Sequence, residues 1–207
     1  MKTCYLDGND VCFSWTPLVG SVDLVYNAPE WLITKAARVC RDVGDKNEEQ
    51  DKKSIRYLLK FKHMKPFDFP TITYRLVLPI YVERQIRVYR SMVALERSLR
   101  TLPPMEKSFE DKLQNPYKAA LKSYEYLVEN EYPKETARAI LPLGTFTTVI
   151  CQFTARGAFH LFEERLTKAA QTETRLYARL MWRRFQEAFP FTAEAFKELN
   201  PDLLFEE

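Results

Sequence analysis

The chain has 207 residues, 46% of them hydrophobic and 29% charged, with a formal net charge of +3. This is the balance of a soluble globular protein, and so small a positive excess argues against bulk nucleic-acid binding while leaving local basic patches open. No run of about eighteen apolar residues is present, so no membrane span is expected, and scarce glycine leaves no Gly-x-Gly-x-x-Gly or P-loop pattern to cradle a phosphate.

Cys4, Cys12, Cys40 and Cys151 are scattered without Cys-x-x-Cys spacing, and His63 and His160 are the only histidines. Reduced thiols in a cytoplasmic setting fit this better than a disulfide framework or a metal site. The opening MKTCYLDGND is acidic and broken by glycine, so a signal peptide is not expected.

Residues 1–20 read as irregular, punctuated by Gly8, Pro17 and Gly20. Val22–Tyr26 alternates enough for a short strand. A helix is expected over 28–41, with Asn27 as N-cap and Pro29 in its first turn. A charged loop leads to a second helix from about 48 to 62. Residues 63–70 form a turn, because two prolines oppose regular structure. Thr71–Leu78 is the clearest strand, with Ile72, Tyr74, Leu76 and Leu78 on one side and Thr71, Thr73, Arg75 and Val77 on the other.

Pro79 opens an arginine-rich stretch running to Arg100, read as a helix that weakens after Tyr89. Ile80, Val82 and Ile86 are its candidate core, with Glu83, Arg84, Arg87 and Arg90 elsewhere on the circumference. Arg84, Arg87, Arg90, Arg97 and Arg100 fit either a solvated face laced with Glu–Arg pairs or an anion site. Further helices are expected over 109–130, 134–141, 155–165, 170–188 and 192–199, with a β segment at 146–153 and a frayed tail at 200–207. Long helices without regular βα alternation indicate an α+β fold.

Several segments together resemble one family. Its pattern runs H-x-x-P-F-E-H, an alternating strand, P-I-F-V-x-R-Q, R-H-R-x-x-S-x-N-x-x-S-x-R-Y, A-R-x-x-L-P, N-x-R and A-Q-x-E-I-R. Here the same order reads His63-Met64-Lys65-Pro66-Phe67-Asp68, then Pro79-Ile80-Tyr81-Val82-Glu83-Arg84-Gln85. It continues as Val88-Tyr89-Arg90 through Glu96-Arg97-Ser98-Leu99-Arg100-Thr101, Ala137-Arg138 through Leu141-Pro142, Thr154-Ala155-Arg156 and Ala170-Gln171-Thr172-Glu173-Thr174-Arg175. The family is that of the flavin-dependent thymidylate synthases, ThyX, and the resemblance covers most of the chain.

The resemblance implies one ThyX-like domain over 1–207, with a central, mainly antiparallel sheet flanked by long helices. It implies a cytoplasmic homotetramer with active sites where subunits meet. FAD would be reduced by NADPH, and a one-carbon unit would pass from methylenetetrahydrofolate to C5 of dUMP without a cysteine nucleophile. Gln85, Glu96, Ser98, Arg100, Arg138 and Arg165 match nucleotide contacts, with Ser98, Arg100 and Gln85 as the implied catalytic set. A dianionic phosphate favours several guanidiniums and a hydroxyl. His63, Arg90, Arg156, Tyr89 and His160 fall on the flavin side.

That side departs from the pattern. Val88 and Tyr89 stand for the first Arg and His, Val93 and Leu95 for a Ser and an Asn, Thr101 for the Tyr, Thr154 for the N-x-R asparagine and Cys40 for a serine. Lys65 and Arg87 are positive charges that can compensate, and Tyr89 is a ring that can stack. His63 also reads as a turn histidine, and His160 as a satisfied interface histidine. The departures keep other readings open: methylation or hydroxymethylation of UMP or dCMP, a degenerate nucleotide-binding homologue, or a nucleic-acid-binding module using the basic stretch.

Overall fold

The computed structural model describes residues 3–5, 20–39, 44, 47–89, 91–98 and 111–206, with backbone alone for 3–5 and 111–117. Its strands are β1 (Thr3–Tyr5), β2 (Ser21–Asn27), β3 (Thr71–Pro79), β4 (Val93–Glu96) and β5 (Phe146–Thr154). They form one sheet in the order β1-β2-β3-β5-β4, with every pairing antiparallel. The helices are α1 (Trp31–Val39), α2 (Glu48–Lys60), α3 (Ile80–Ile86), α4 (Asp111–Glu129), α5 (Lys134–Ala137), α6 (Ala155–Arg165), α7 (Thr172–Ala188) and α8 (Pro190–Leu199). The architecture is the expected α+β.

The alternation read in β3 sets the sheet's two faces. Ile72, Tyr74 and Leu76 are buried opposite Phe153, Cys151 and Val149 of β5. α6 and α7 cover this face, and α8 packs on α7, with aromatic rings filling the layer. Phe159 stacks on Phe196 at 4.5 Å, Trp182 lies 4.5 Å from Phe205, and Phe162 meets Trp182 edge-on at 5.1 Å. Such pairs add about 0.5–1.5 kcal/mol each beyond the area they bury.

Several expectations are corrected. The segment expected to be irregular contributes β1 to the sheet. Asn27 does not cap α1: it ends β2, and the Ala28 N–H bonds the Thr71 carbonyl at 2.8 Å, so the chain stays on the sheet until Pro29. α2 stops at Lys60 because Lys62 adopts a left-handed φ of 55°, closing the helix with bonds from Lys62 N to Leu59 O and from His63 N to Leu58 O. The 63–70 turn contains one turn of 3-10 helix over Lys65–Asp68.

The arginine-rich stretch is not one helix. α3 ends at Ile86, and Val93–Glu96 is an edge strand paired to β5. Val93 and Leu95 alternate with Ala94 and Glu96, a period-2 pattern that suits a strand. α8 begins at Pro190 rather than Thr192. The Glu30 carboxylate accepts from Thr192 N at 2.6 Å and Phe191 N at 3.4 Å, capping the helix from outside. The tail is docked rather than frayed: Leu204 N bonds Leu166 O at 2.7 Å, Arg179 Nε donates to Leu204 O at 3.0 Å, and Phe205 is buried.

Candidate active site

α3 presents Ile80, Val82 and Ile86 to the core and leaves Arg84 and Gln85 exposed. Glu83, expected on the outer circumference, is buried as well. Arg87, which closes the helix, donates from Nε to Glu83 Oε1 and from Nη2 to Glu96 Oε2, the latter at 2.9 Å. Burial raises the Glu83 pKa, and Arg87 opposes the rise. Arg87 is therefore engaged by two carboxylates and offers no spare charge, contrary to expectation. Lys65 likewise pairs with Asp68 at 3.3 Å, as an exposed and therefore weak ion pair.

Val88 is exposed where the family pattern has its first arginine, and Val93 and Leu95 are 71% and 78% exposed on β4. Tyr89 turns inward. It is buried, and its hydroxyl donates to Glu164 Oε2 at 2.9 Å. His160 meets its ring edge-on at 5.4 Å, and the Arg165 guanidinium lies 5.5 Å from its centroid. His160 Nε2 is 3.4 Å from Glu164 Oε1, and Arg165 Nη2 is 3.7 Å from Glu164 Oε2. Burial raises the Tyr89 pKa strongly and the neighbouring carboxylate adds to it, so the phenol stays protonated. The ring packs within the chain, with little face left for stacking on a ligand.

Two cavities flank the 62–68 turn. One, of about 800 Å³, is lined by Met64, Asp68, Ser91, Arg156, Gly157 and His160 among others. Arg156 Nη1 reaches Asp68 Oδ2 at 3.4 Å, and a Cβ on Gly157 would meet Ser91 Oγ at 2.4 Å, so any larger residue there would have to displace the Ser91 side chain. The second cavity, about 1080 Å³, lies among α1, α2 and the turn, with Tyr57, His63, Met64 and Phe69 in its wall. His63 stacks on Tyr57 at 6.1 Å, and its backbone N–H bonds Leu58 O.

The structure thus brings together Tyr89, His160 and Arg165, with Arg156 and His160 on one cavity and His63 on the other. Gln85, Ser98 and Arg138 are exposed on separate segments, and Glu96 is half-buried under Arg87. Arg90 and Arg100 lie outside the described residues, as does Cys40. Glu83 and Glu164 organise these clusters, and sequence reasoning missed them. The four-residue spacing of His160 and Glu164 on one helix was the available signal. Arg175, which ends the A-Q-x-E-x-R pattern, donates from Nη1 to the carbonyls of Thr167, Lys168 and Ala170 and so pins the turn before α7.

Cys151 is buried, and desolvation pushes its thiol up to about 12, so it carries no thiolate near neutral pH. Among the described residues there is no group of three or more His, Cys, Asp or Glu that could hold a metal, and no helix is long and apolar enough to cross a membrane.

Comparison with known proteins gives one direction. The family model described as thymidylate synthase complementing protein matches residues 23–191. A flavin-dependent thymidylate synthase of Pseudothermotoga lettingae is 31% identical over 184 residues, covering 78% of this chain and 82% of that protein. One from Thermotoga neapolitana is 29% identical, covering 78% and 83%. A crystal structure of a UMP/dUMP methylase, PolB from Streptomyces cacaoi, bound with 5-Br dUMP shares the fold at a TM-score of 0.77 and 22% identity, over 86% of this chain and 95% of that one. By the family match across most of its length, the chain belongs to the flavin-dependent thymidylate synthase family.

Proposed function

We propose that this protein transfers a one-carbon unit from methylenetetrahydrofolate to C5 of dUMP, using FAD reduced by NADPH. The observation that carries this reading is the family match over 23–191, which includes the arginine-rich segment and the cavity residues Arg156 and His160. Arg138, Arg165, Arg100 and Ser98 are assigned to the nucleotide phosphate and sugar, and Gln85 and Glu96 to the orientation of the base. The work asked of these residues is positioning and charge stabilisation.

The donor set of the smaller cavity fits a flavin cofactor. Arg156 is a cation for a polyanionic group, His160 is largely exposed at the rim, and a volume of about 800 Å³ is of ligand size. Arg156 and His160 would hold the group there; the resemblance adds Arg90 and His63 to the flavin side, His63 from the wall of the neighbouring cavity. When bound, the flavin supplies the redox chemistry. A homotetrameric assembly is part of the proposal, supported by the bare apolar side chains of Val93, Leu95 and Ile150 on neighbouring strands.

A second reading keeps the fold and changes the pyrimidine to UMP or dCMP, or the product to a hydroxymethyl nucleotide. The inward-turned Tyr89 and the apolar Val93 and Leu95 favour it, because they alter the flavin half of the motif and spare Glu96 and Ser98. The test is flavin absorbance of the purified protein with and without dUMP, then mass analysis after incubation with NADPH, methylenetetrahydrofolate and each of dUMP, UMP and dCMP. Bleaching with NADPH and a mass gain on dUMP are expected. Protein that takes up no FAD, or that leaves every nucleotide unchanged, overturns the enzymatic reading.

A further inference from the structure

We infer that Arg87 is a positioning residue for Glu96: buried Glu83 holds the Arg87 guanidinium, and the guanidinium holds Glu96 in the orientation that meets the nucleotide. The inference rests on the proposed placement of Glu96 at the substrate. Neither partner comes from the family pattern. Glu83 occupies the open position of P-I-F-V-x-R-Q, and Arg87 falls between two of the quoted segments.

The geometry separates this trio from an ordinary surface ion pair. The Glu83 side chain is 6% exposed, Glu96 29% and Arg87 41%. An exposed Arg–Glu pair would be mobile and of little worth. Here one carboxylate is buried, and stripping the cation from a buried carboxylate is costly. Arg87 is therefore tied down from beneath. Its backbone is fixed too, because Arg87 N bonds Glu83 O at 2.8 Å in the last turn of α3.

The strand end is equally constrained. Val149 of β5 stands opposite Glu96, and Arg97 N bonds Thr148 O at 2.8 Å just beyond it. With its backbone in the sheet and Oε2 on Arg87, Glu96 has little freedom beyond the direction of Oε1. A planar guanidinium can join two carboxylates through separate N–H groups, which the single ammonium of lysine does less well. The trio spans the junction between α3 and β4, which carry Gln85 and Glu96 respectively.

The test is the Kd for dUMP of the full-length protein, wild type against E96Q, R87M, R87K and the double variant R87M/E96Q, with the thermal midpoint measured for each. R87M is expected to weaken dUMP binding about tenfold, within the range of coupling between contacting residues. R87K should recover only part of this, and the double variant should bind no more weakly than the weaker single. Wild-type affinity in R87M, or losses that multiply in the double variant, overturns the inference. If R87M fails to unfold cooperatively, R87K decides, and unchanged affinity there overturns it. Wild-type protein that does not bind dUMP defeats the proposed function itself. Binding by wild type with E96Q unaffected removes the placement of Glu96 alone, and the inference with it.

Discussion

Arg165 rests its guanidinium on the ring of Tyr89, 5.5 Å from the centroid, while the Tyr89 hydroxyl donates to Glu164 at 2.9 Å. The resemblance puts Tyr89 on the flavin side of the motif, whereas Arg165 ends α6 and is assigned to the nucleotide only by the proposed function. On that proposal, the tyrosine at the family's histidine position supports a residue proposed to hold the nucleotide. A cation over an aromatic face is worth about 0.5–2 kcal/mol depending on desolvation. Y89F keeps the ring and loses the bond to Glu164. It should cost about 1 kcal/mol of stability and leave dUMP affinity close to wild type. Y89L removes the ring and should weaken dUMP binding several-fold, in the same direction as R165A. Equal affinity in Y89L and wild type would show that Arg165 does not depend on this support.

Cys151 gives a prediction with a definite sign. Its thiol shifts from 9.0 to about 12 on folding because burial penalises the thiolate. A raised folded value favours the folded state while the thiol is protonated, and that contribution is lost as the pH rises through the folded value. Stability should therefore decline between about pH 9 and about pH 12, and C151A should flatten part of the decline. In native protein at pH 8, iodoacetamide should leave Cys151 unmodified by mass analysis, and C151A should keep its activity. Rapid labelling of the native protein would contradict the burial argument.

What was legible in the chain follows from how local the determinants are. β3 was read correctly because its alternation reports a half-buried sheet by itself, and β5 and α6 were bounded by strong patterns. β4 was hidden because an alternation of only four residues is too short to stand alone, and an edge strand of that length is decided by its pairing to β5. The start of α8 was misplaced because its cap, Glu30, is distant in sequence. The docked tail depends on Leu166, Arg179 and Trp182, again distant. The same holds at the candidate site. Colinear motifs supplied candidate residues, whereas the pairing of Arg87 with Glu83 and Glu96 and the inward turn of Tyr89 are tertiary facts.

Glu131 offers a stability test away from the site. It adopts a left-handed φ of 64° just after α4, with Glu131 N on Val128 O and Tyr132 N on Leu127 O. This is the helix-ending arrangement that favours glycine at its central position. A side chain there costs about 1 kcal/mol or somewhat more, and the freedom glycine adds to the unfolded chain offsets part of the gain. E131G should raise stability by about 0.5 kcal/mol in chemical denaturation at constant m-value. A loss of stability would mean that the Glu131 side chain makes a contribution larger than the backbone strain.

The Phe205 ring lies 4.5 Å from Trp182 and 6.2 Å from Phe196, and it is 4% exposed. The backbone around it is held from both sides, with Leu204 N on Leu166 O and Arg179 Nε on Leu204 O. A frayed tail would tolerate F205A at almost no cost. A docked one loses a buried ring over Trp182 and leaves a cavity against α7 and α8, at about 3 kcal/mol. Part of that loss is relieved if the tail then peels away, which would also release the carbonyl that Arg179 holds. F205A should therefore lower the denaturation midpoint, and it should speed amide exchange at Leu204 well beyond the rate for global unfolding. Unchanged stability together with fast exchange in wild type would restore the frayed tail.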